Sequence, residues 1–458
     1  MAEIDADVFK ALSDGNRLAI LRMLSDGETC ACRMLEELDI SQPTLSHHMK
    51  ILCGSGLVKA RRSGQWSYYS IDRARLEELK SFLDSLRSLQ VYTSTNIYID
   101  SYRCNSMEGR SPDGEAEKFR EDVREYYGKR LKGSSDLKTS ACACSASPCG
   151  EAAGIIPLID SEVLDRFYGC GSPIPPLLEG MTVLDLGCGT GRDAFIASKL
   201  VGPKGRVIGV DMTREQLGVA EAHVRSQTER FGFAEPNVEF RQGYIEDLRS
   251  AGIEDSSIDV VISNCVVNLC PRKDLVFAEI RRVLKDGGEL FFSDVFADRR
   301  VPDKVYADPV LRGECLAGAM YVEDFRRAMA KAGFLDVRCT SESDVVIDDP
   351  EMRKLLGDVR FTSRTVRAFK LDDLEDGCED YGQVVIYDGG IPGHPDWFDL
   401  DSGHRFYTNR PVPVCGNTAS MCSGTRYGKH LHARGDRSRH FGRFEDQDDD
   451  PRGGCCCG

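Results

Sequence analysis

"VLDLGCGTGRDAF", residues 183–195, passes from an apolar strand pattern into a helical one across three glycines. Glycine adopts backbone conformations closed to other residues, and it lets a ligand approach the main chain where the free N–H groups of a new helix face the same space. Gly187, Gly189 and Gly191 are spaced G-x-G-x-G, not the dinucleotide G-x-G-x-x-G, and Asp185 precedes them at the strand end. Asp211 closes the next apolar run, "GRVIGVDM" (205–212), where a carboxylate can accept from both hydroxyls of a ribose. "NVEFRQG" (237–243), "IDVVISNC" (258–265) and "ELFFSDV" (289–295) follow, each trailed by helical spacing. The alternation predicts a Rossmann-like α/β domain with a parallel, doubly wound sheet over residues 117–340.

The chain has 458 residues, a formal charge of −15 and 19 cysteines, enough for about two to four domains at ~100–200 residues each. No run approaches the ~18–20 apolar residues that span a bilayer, and there is no secretory signal, so the expected compartment is the cytoplasm and no membrane partner is expected. Thiols stay reduced there. A high, odd cysteine count then argues for soft-metal or redox chemistry over a disulfide framework. The acidity argues against a nucleic-acid coat on the whole chain, yet a single basic module remains open to it.

Such a module is predicted at residues 1–90, which read as a mostly α winged helix-turn-helix. Val8, Phe9 and Leu12, then Leu18, Ile20, Leu21 and Leu24, recur at helical spacing. "CACRMLEELD" (30–39) and "SQPTLSHHMKILCGSG" (41–56) make two short helices, with Ser41 as N-cap and Gly54 and Gly56 as stops. "LVKARRSGQWSYYSID" (57–72) reads as a basic hairpin turning at Ser63-Gly64. Gln42, Thr44, Ser46, His47 and Lys50 would face the major groove, with Lys59, Arg61 and Arg62 on phosphates. Leu76, Leu79, Leu83 and Leu86 form a stripe that suits a homodimer reading a palindrome. A linker is expected at 91–116, a smaller mixed α+β C-terminal domain at 341–425, and a disordered His- and Cys-bearing tail at 426–458.

The glycine turn, Asp211 and "GYIEDL" (243–248) together resemble class I methyltransferases that bind S-adenosylmethionine. By that resemblance Asp185, Gly187, Gly189 and Gly191 bind the cofactor, with the glycine turn on its methionine moiety. Asp211 would hold the ribose, and Met212, Ile245 and Glu246 the adenine. A nicotinamide enzyme is the runner-up, disfavoured by the glycine spacing.

"YYGKRLKGSSDLKTSACAC" (126–144), "YGCGSPIP" (168–175), "SNCVVNL" (263–269), "GECLAGAM" (313–320), "EDYGQVVIYDG" (379–389) and "VCGNTASM" (414–421) stand in the order of the arsenite S-adenosylmethionine methyltransferases, which the chain resembles from about 122 to 428. The resemblance implies four arsenic-handling thiols, Cys142, Cys170, Cys265 and Cys315, with Cys144 an alternative to Cys142. It implies that Cys265 and Cys315 hold arsenic throughout, while Cys142 and Cys170 join early and then form a disulfide that returns pentavalent product to the trivalent state. An external thiol reductant, thioredoxin or glutathione, would restore them. The substrates would be arsenite and methylated arsenicals, giving mono-, di- and up to trimethylated products. The chemistry agrees, because trivalent arsenic is soft and prefers thiolates, and positioning its lone pair can supply ~7–11 kcal/mol.

"GETCACRML" (27–35) resembles the E-L-C-V-C-D-L signature of the ArsR group of repressors, placing Cys30 and Cys32 as arsenite-sensing thiols on the first helix of the DNA-binding pair. On a regular helix the two point apart, so chelation is expected to distort the helix and release operator DNA. Cys53, Cys104 or a thiol from a second subunit are candidates for a third ligand. The combined reading is a fusion of an arsenite-responsive repressor with an arsenite methyltransferase. The competing readings are a regulator carrying a non-catalytic methyltransferase-like module, and an enzyme whose N-terminal part only oligomerises it. The "CCCG" end with His430, His432 and His440 is a further candidate for binding metalloid.

Overall fold

The computed structural model describes residues 6–79, 119–126, 150–302 and, with Val305, 309–444, apart from a few positions inside these stretches. Two compact units result, 1–109 and 110–458.

In the first unit α1 (Ala6–Leu12) and α2 (Gly15–Ser25) precede β1 (Thr29–Cys30), α3 (Ala31–Glu37), α4 (Gln42–Gly54) and the hairpin β2 (Val58–Ser63) and β3 (Trp66–Ile71). Ser41 caps α4, its hydroxyl accepting from the Thr44 N–H, and Gly56 follows in the left-handed region. Ile20, Leu24, Met34, Leu45, Met49 and Leu52 close one core around the helices. The wing has three strands, because β1 adds to the hairpin in the order β1-β3-β2. Ser63 pairs with Trp66 as the last residue of β2, so it is not part of the turn expected at Ser63-Gly64; Gly64 lies outside the described residues. Leu79 is buried in this unit's own core and Leu76 packs beside it; Leu83 and Leu86 lie outside the described residues, as do the linker 91–116 and Cys104.

The second unit is built on the five expected strands, β4 (Thr182–Leu186), β5 (Arg206–Asp211), β6 (Val238–Gln242), β7 (Ile258–Asn264) and β8 (Leu284–Ala297), mutually parallel in the order β6-β5-β4-β7-β8. β9 (Met320–Tyr321) adds a short parallel pairing to β8. The sheet is mixed, however. β10 (Val337–Asp344) and β11 (Phe361–Phe369) extend it beyond β8, both pairs antiparallel. Alternate residues divide between two cores: Val183 and Val207 pack with α5 (Arg192–Val201) and α6 (Arg214–Phe231). Leu184, Leu186 and Val210 pack on the other face with α7 (Lys273–Val283) and α8 (Val322–Lys331). Both faces are covered, which is why these strands read as continuous apolar runs.

Small sheets follow: Gln383–Tyr387 pairs with Pro411–Val414 and with Leu431–Arg434, and Trp397–Asp401 with His404–Tyr407. The expected disordered tail from 426 is therefore corrected. Residues 426–444 are folded, because Leu431 is fully buried opposite Tyr387 and Tyr427 is buried against Arg367. The "CCCG" end lies outside the described residues. Among the described residues no helix is long and apolar enough to cross a membrane.

Candidate functional site

Strand β4 ends at the glycine turn. Gly187, Gly189 and Gly191 all have positive φ (68°, 53° and 90°), and a Cβ on Gly187 would lie 2.3 Å from the Val266 side chain. Gly191 is also the N-cap of α5. This turn opens onto a cavity of about 960 Å³, part of it open to solvent. Asp185, Gly187, Gly189, Asp211, Met212, Ile245 and Glu246 line it together, and so does Cys265. Asp211 accepts from the backbone N–H of Gly189 at 2.9 Å and of Thr213 at 2.8 Å, which fixes it at the mouth of the turn. Burial pushes its carboxyl up against those hydrogen bonds. Asp185 is driven further up by burial and by the like charges of Asp193 and Asp211, and its Oδ2 is buried without a hydrogen-bond partner.

Around Cys265, which lines the cavity, two further thiols gather. Cys265 follows directly on β7 at φ 56°, and Cys315 also stands at positive φ (61°), a region costly for a residue with a side chain and one that concentrates at functional sites. The Cys315 thiol donates to the Cys265 carbonyl at 3.3 Å, and both residues are buried. Cys170 is bonded to Cys265 by a disulfide, Cα–Cα 5.8 Å. The expected Cys142–Cys170 pairing is thus corrected on the Cys170 side; Cys142 and its alternative Cys144 lie outside the described residues. The physical reason is Asn264, whose Oδ1 accepts from the N–H of Cys170 (3.0 Å) and Gly171 (3.3 Å), while its Nδ2 donates to the Gly171 carbonyl (2.9 Å). One amide thereby clamps the Cys170 loop onto the strand end beside Cys265.

Further residues that the sequence reading did not single out surround these thiols and the cavity. Asp294 on β8 is buried, and one oxygen of it lies with the sulfurs of Cys170 and Cys265 in a group within 4.8 Å of one another. It accepts from Asn268 N–H (3.1 Å), Asn268 Nδ2 (2.7 Å) and Val295 N–H (2.8 Å); burial pushes its carboxyl up to about 7. Asn268 also meets the Cys315 loop, since a Cβ on Gly318 would sit 2.0 Å from the Asn268 carbonyl. Finally, Arg120, in a helical stretch at 119–126, pairs with Glu246 at 2.9 Å, and Tyr126 donates to Glu314 at 3.0 Å, next to Cys315. Asn264, Asn268 and Asp294 sit within the quoted segments "SNCVVNL" and "ELFFSDV", but only the partners show what they do.

In the first unit Gln42, Thr44, Ser46, His47 and Lys50 are exposed on α4, and Arg61 and Arg62 on β2. Cys30 is not on the helix. It is the extended N-cap of α3 (φ −79°, ψ 154°), its sulfur accepting from the Arg33 N–H, while Cys32 lies in the first turn. The two thiols are hydrogen-bonded to each other, which lowers Cys30 and raises Cys32. A strand-to-helix step therefore separates them, and the placement of both thiols on the helix is corrected for Cys30. His430 and His432 contact Asp388, and His440 contacts Glu379, which accounts for all three as partners of surface carboxylates.

Comparison with known proteins matches three family models in order: a bacterial regulatory protein of the ArsR family at 14–60, a methyltransferase domain at 177–333 and the arsenite methyltransferase C-terminal domain at 381–456. Arsenite methyltransferase from Aquipseudomonas alcaligenes is 53% identical over 71% of this chain and 93% of its own length, and the Homo sapiens arsenite methyltransferase is 42% identical over 69% and 84%. The arsenical resistance operon repressor of Staphylococcus aureus is 42% identical over 19% of the chain and 80% of itself. The crystal structure of an arsenic(III) S-adenosylmethionine methyltransferase from Chlamydomonas reinhardtii, 50% identical, superposes with a TM-score of 0.64 over 65% of this chain and all of that one. With Cys265 and the glycine turn in one cavity, the chain belongs to the arsenite methyltransferase family, as an S-adenosylmethionine-dependent enzyme fused to an N-terminal ArsR-family helix-turn-helix domain.

Proposed function

We propose that one chain methylates thiolate-bound trivalent arsenic to mono-, di- and up to trimethylated products and, through its winged helix, represses an operator that arsenite releases. The observation that carries the enzymatic half is Cys265 lining the same cavity as Asp185, Asp211 and the glycine turn. The residues fit the cofactor: Asp185 Oδ2 is a buried acceptor without a partner, suited to an ammonium, and a Cβ on Gly189 would meet open space. Asp211 would accept from the ribose, and Met212, Ile245 and Glu246 would surround the adenine. Bound S-adenosylmethionine supplies an electrophilic methyl group.

The chain's own part is to capture and aim arsenic. An external thiol reductant, one thioredoxin-class dithiol or two glutathione-class monothiols, gives two electrons and two protons to the Cys170–Cys265 disulfide, is itself oxidised to a disulfide, and frees both sulfurs. With Cys315 they form a soft, pyramidal donor set that leaves the arsenic lone pair directed at the cavity. Reoxidation of a thiol pair then reduces the methylated pentavalent product by two electrons. Cys142, from beyond the described residues, remains the family's candidate to relay that oxidation. Chromatographic separation of arsenic species after incubation with arsenite, S-adenosylmethionine and a thiol reductant tests the reading, and the absence of any methylated species refutes it.

For regulation, Gln42, Thr44, Ser46, His47 and Lys50 would read the major groove of operator DNA, Arg61 and Arg62 would contact phosphates, and Cys30 and Cys32 would chelate arsenite. A homodimer and a reducing cytoplasm complete the proposal. Gel shift on the promoter region with and without arsenite, with sedimentation of the free protein, checks repression and dimerisation separately.

A further inference from the structure

Methyl transfer to arsenic creates charge where none stood. The bond that forms is As–C, made from the arsenic lone pair; the bond that breaks is the sulfonium S–C, whose electron pair stays on sulfur. The positive charge therefore passes to arsenic as the transfer proceeds. A preorganised anion beside arsenic would favour that transition state over the neutral ground state, and this kind of electrostatic term is often the largest in catalysis.

The wall that holds the thiols contains one such group. Asp294 contributes an oxygen to the cluster it forms with the Cys170 and Cys265 sulfurs, all within 4.8 Å of one another. It is the sole carboxylate so grouped with cysteines among the described residues. Its carboxylate cannot turn away, because the Asn268 N–H and Nδ2 and the Val295 N–H all donate to it. Burial raises the carboxyl, and those donors oppose the rise, as does the nearby Lys273 ammonium, which donates to the carbonyls of Asn268 and Cys270. A buried carboxylate this constrained is an odd neighbour for thiols, whose ionisation it opposes, unless the group that finally sits among them is cationic.

We infer that Asp294 is a catalytic residue of the methyl transfer, its fixed carboxylate stabilising the positive charge that develops on arsenic held by Cys170, Cys265 and Cys315. The inference rests on the proposed arsenic-binding role of those cysteines. Asn268 is the positioning residue of the pair, since it holds the carboxylate with two donors and packs under the Cys315 loop at Gly318.

The test uses the full-length, reduced protein and its Asp294→Asn, Asp294→Glu and Cys265→Ser variants. Arsenite binding is read from thiolate-to-arsenic ultraviolet absorbance, S-adenosylmethionine binding by calorimetry, and methyl transfer in a single turnover. Asp294→Asn is expected to bind both within twofold of the parent and to transfer methyl ~10²-fold more slowly, the loss typical of one removed electrostatic donor. Asp294→Glu, which keeps the charge, is expected to recover part of the rate. A parent-like rate in Asp294→Asn, or a rate loss accompanied by equal loss of arsenite binding, overturns the inference. Cys265→Ser separates the two readings: if it still gives the full arsenic absorbance, the cysteine assignment fails first and carries this inference down with it.

Discussion

Cys265 stands where three demands meet: the end of a central parallel strand, a left-handed backbone and a wall shared with the cofactor cavity. Cys265→Ser is expected to abolish methylation of arsenite and of monomethylated arsenic alike, measured by product separation. Cys170→Ser should be milder on the monomethyl substrate, and equal loss on both would contradict staged ligand use. Asp185 makes a second prediction. Burial and the neighbouring Asp193 and Asp211 raise its carboxyl, so at acid pH it is neutral and a poor partner for an ammonium. Affinity for S-adenosylmethionine should rise with pH as Asp185 ionises, and Asp185→Asn should bind weakly with a flatter pH profile in calorimetry. A parent profile as flat as the variant's would refute this. At the other end of the chain, Cys30→Ser should leave operator binding intact and insensitive to arsenite in a gel shift.

The two-residue strand β1 makes one thiol of the pair, Cys30, part of the wing, while Cys32 stays on α3. Cys30 is opposite Tyr68, and Tyr68 is opposite Arg61, so one row across three strands joins the proposed sensing thiol to a residue expected on DNA. Glu28, two positions before Cys30, holds Arg61 by two hydrogen bonds of 3.1 and 2.7 Å, and the guanidinium lies over the Tyr68 ring. An Arg61 bound to Glu28 is less free to contact phosphate. Glu28→Gln should therefore tighten DNA binding several-fold and steepen its salt dependence by about one unit per released arginine; an unchanged slope would remove Arg61 from the interface. Helices and strands at this scale followed from periodicity and caps, as Ser41 and the glycine turn illustrate. Strand β1 did not, because two residues carry no period, and only pairing with β3 makes them a strand.

At the scale of the catalytic unit, the C-terminal sheets are fastened to the main sheet by two buried arginines. Arg338 on β10 reaches Asp336, Asp401, Thr418 and Cys415; Arg367 on β11 reaches Glu289, Tyr427 and the Leu400 carbonyl. Removing one partner of such a network leaves buried charge uncompensated, so Arg338→Ala should cost ~3–5 kcal/mol and lower Tm by several degrees. Parent-like thermal behaviour in the variant would show the network to be dispensable. Asp401 sets the acid limit: burial raises its carboxyl, but His404 and Arg338 outweigh it and hold it well below the usual carboxylate range. Its contribution is complete above the ordinary carboxylate pKa of ~4 and disappears as pH falls toward the depressed value. Acid unfolding should therefore shift to higher pH in Asp401→Asn, whose contribution is absent throughout.

Order along the chain was sufficient to place the winged helix, the five parallel strands and the glycine turn, and to single out Cys170, Cys265 and Cys315, which the fold brings together, because hydrophobic period, glycine spacing and family motifs are local or ordered signals. Long-range pairing settled the rest. The antiparallel strands β10 and β11, the folding of residues 426–444, the Cys170–Cys265 bond held by Asn264 and the approach of Asp294 to the thiols all join positions far apart in the chain. None of these has a sequence period, since each depends on side chains that meet only when the sheet has closed around them.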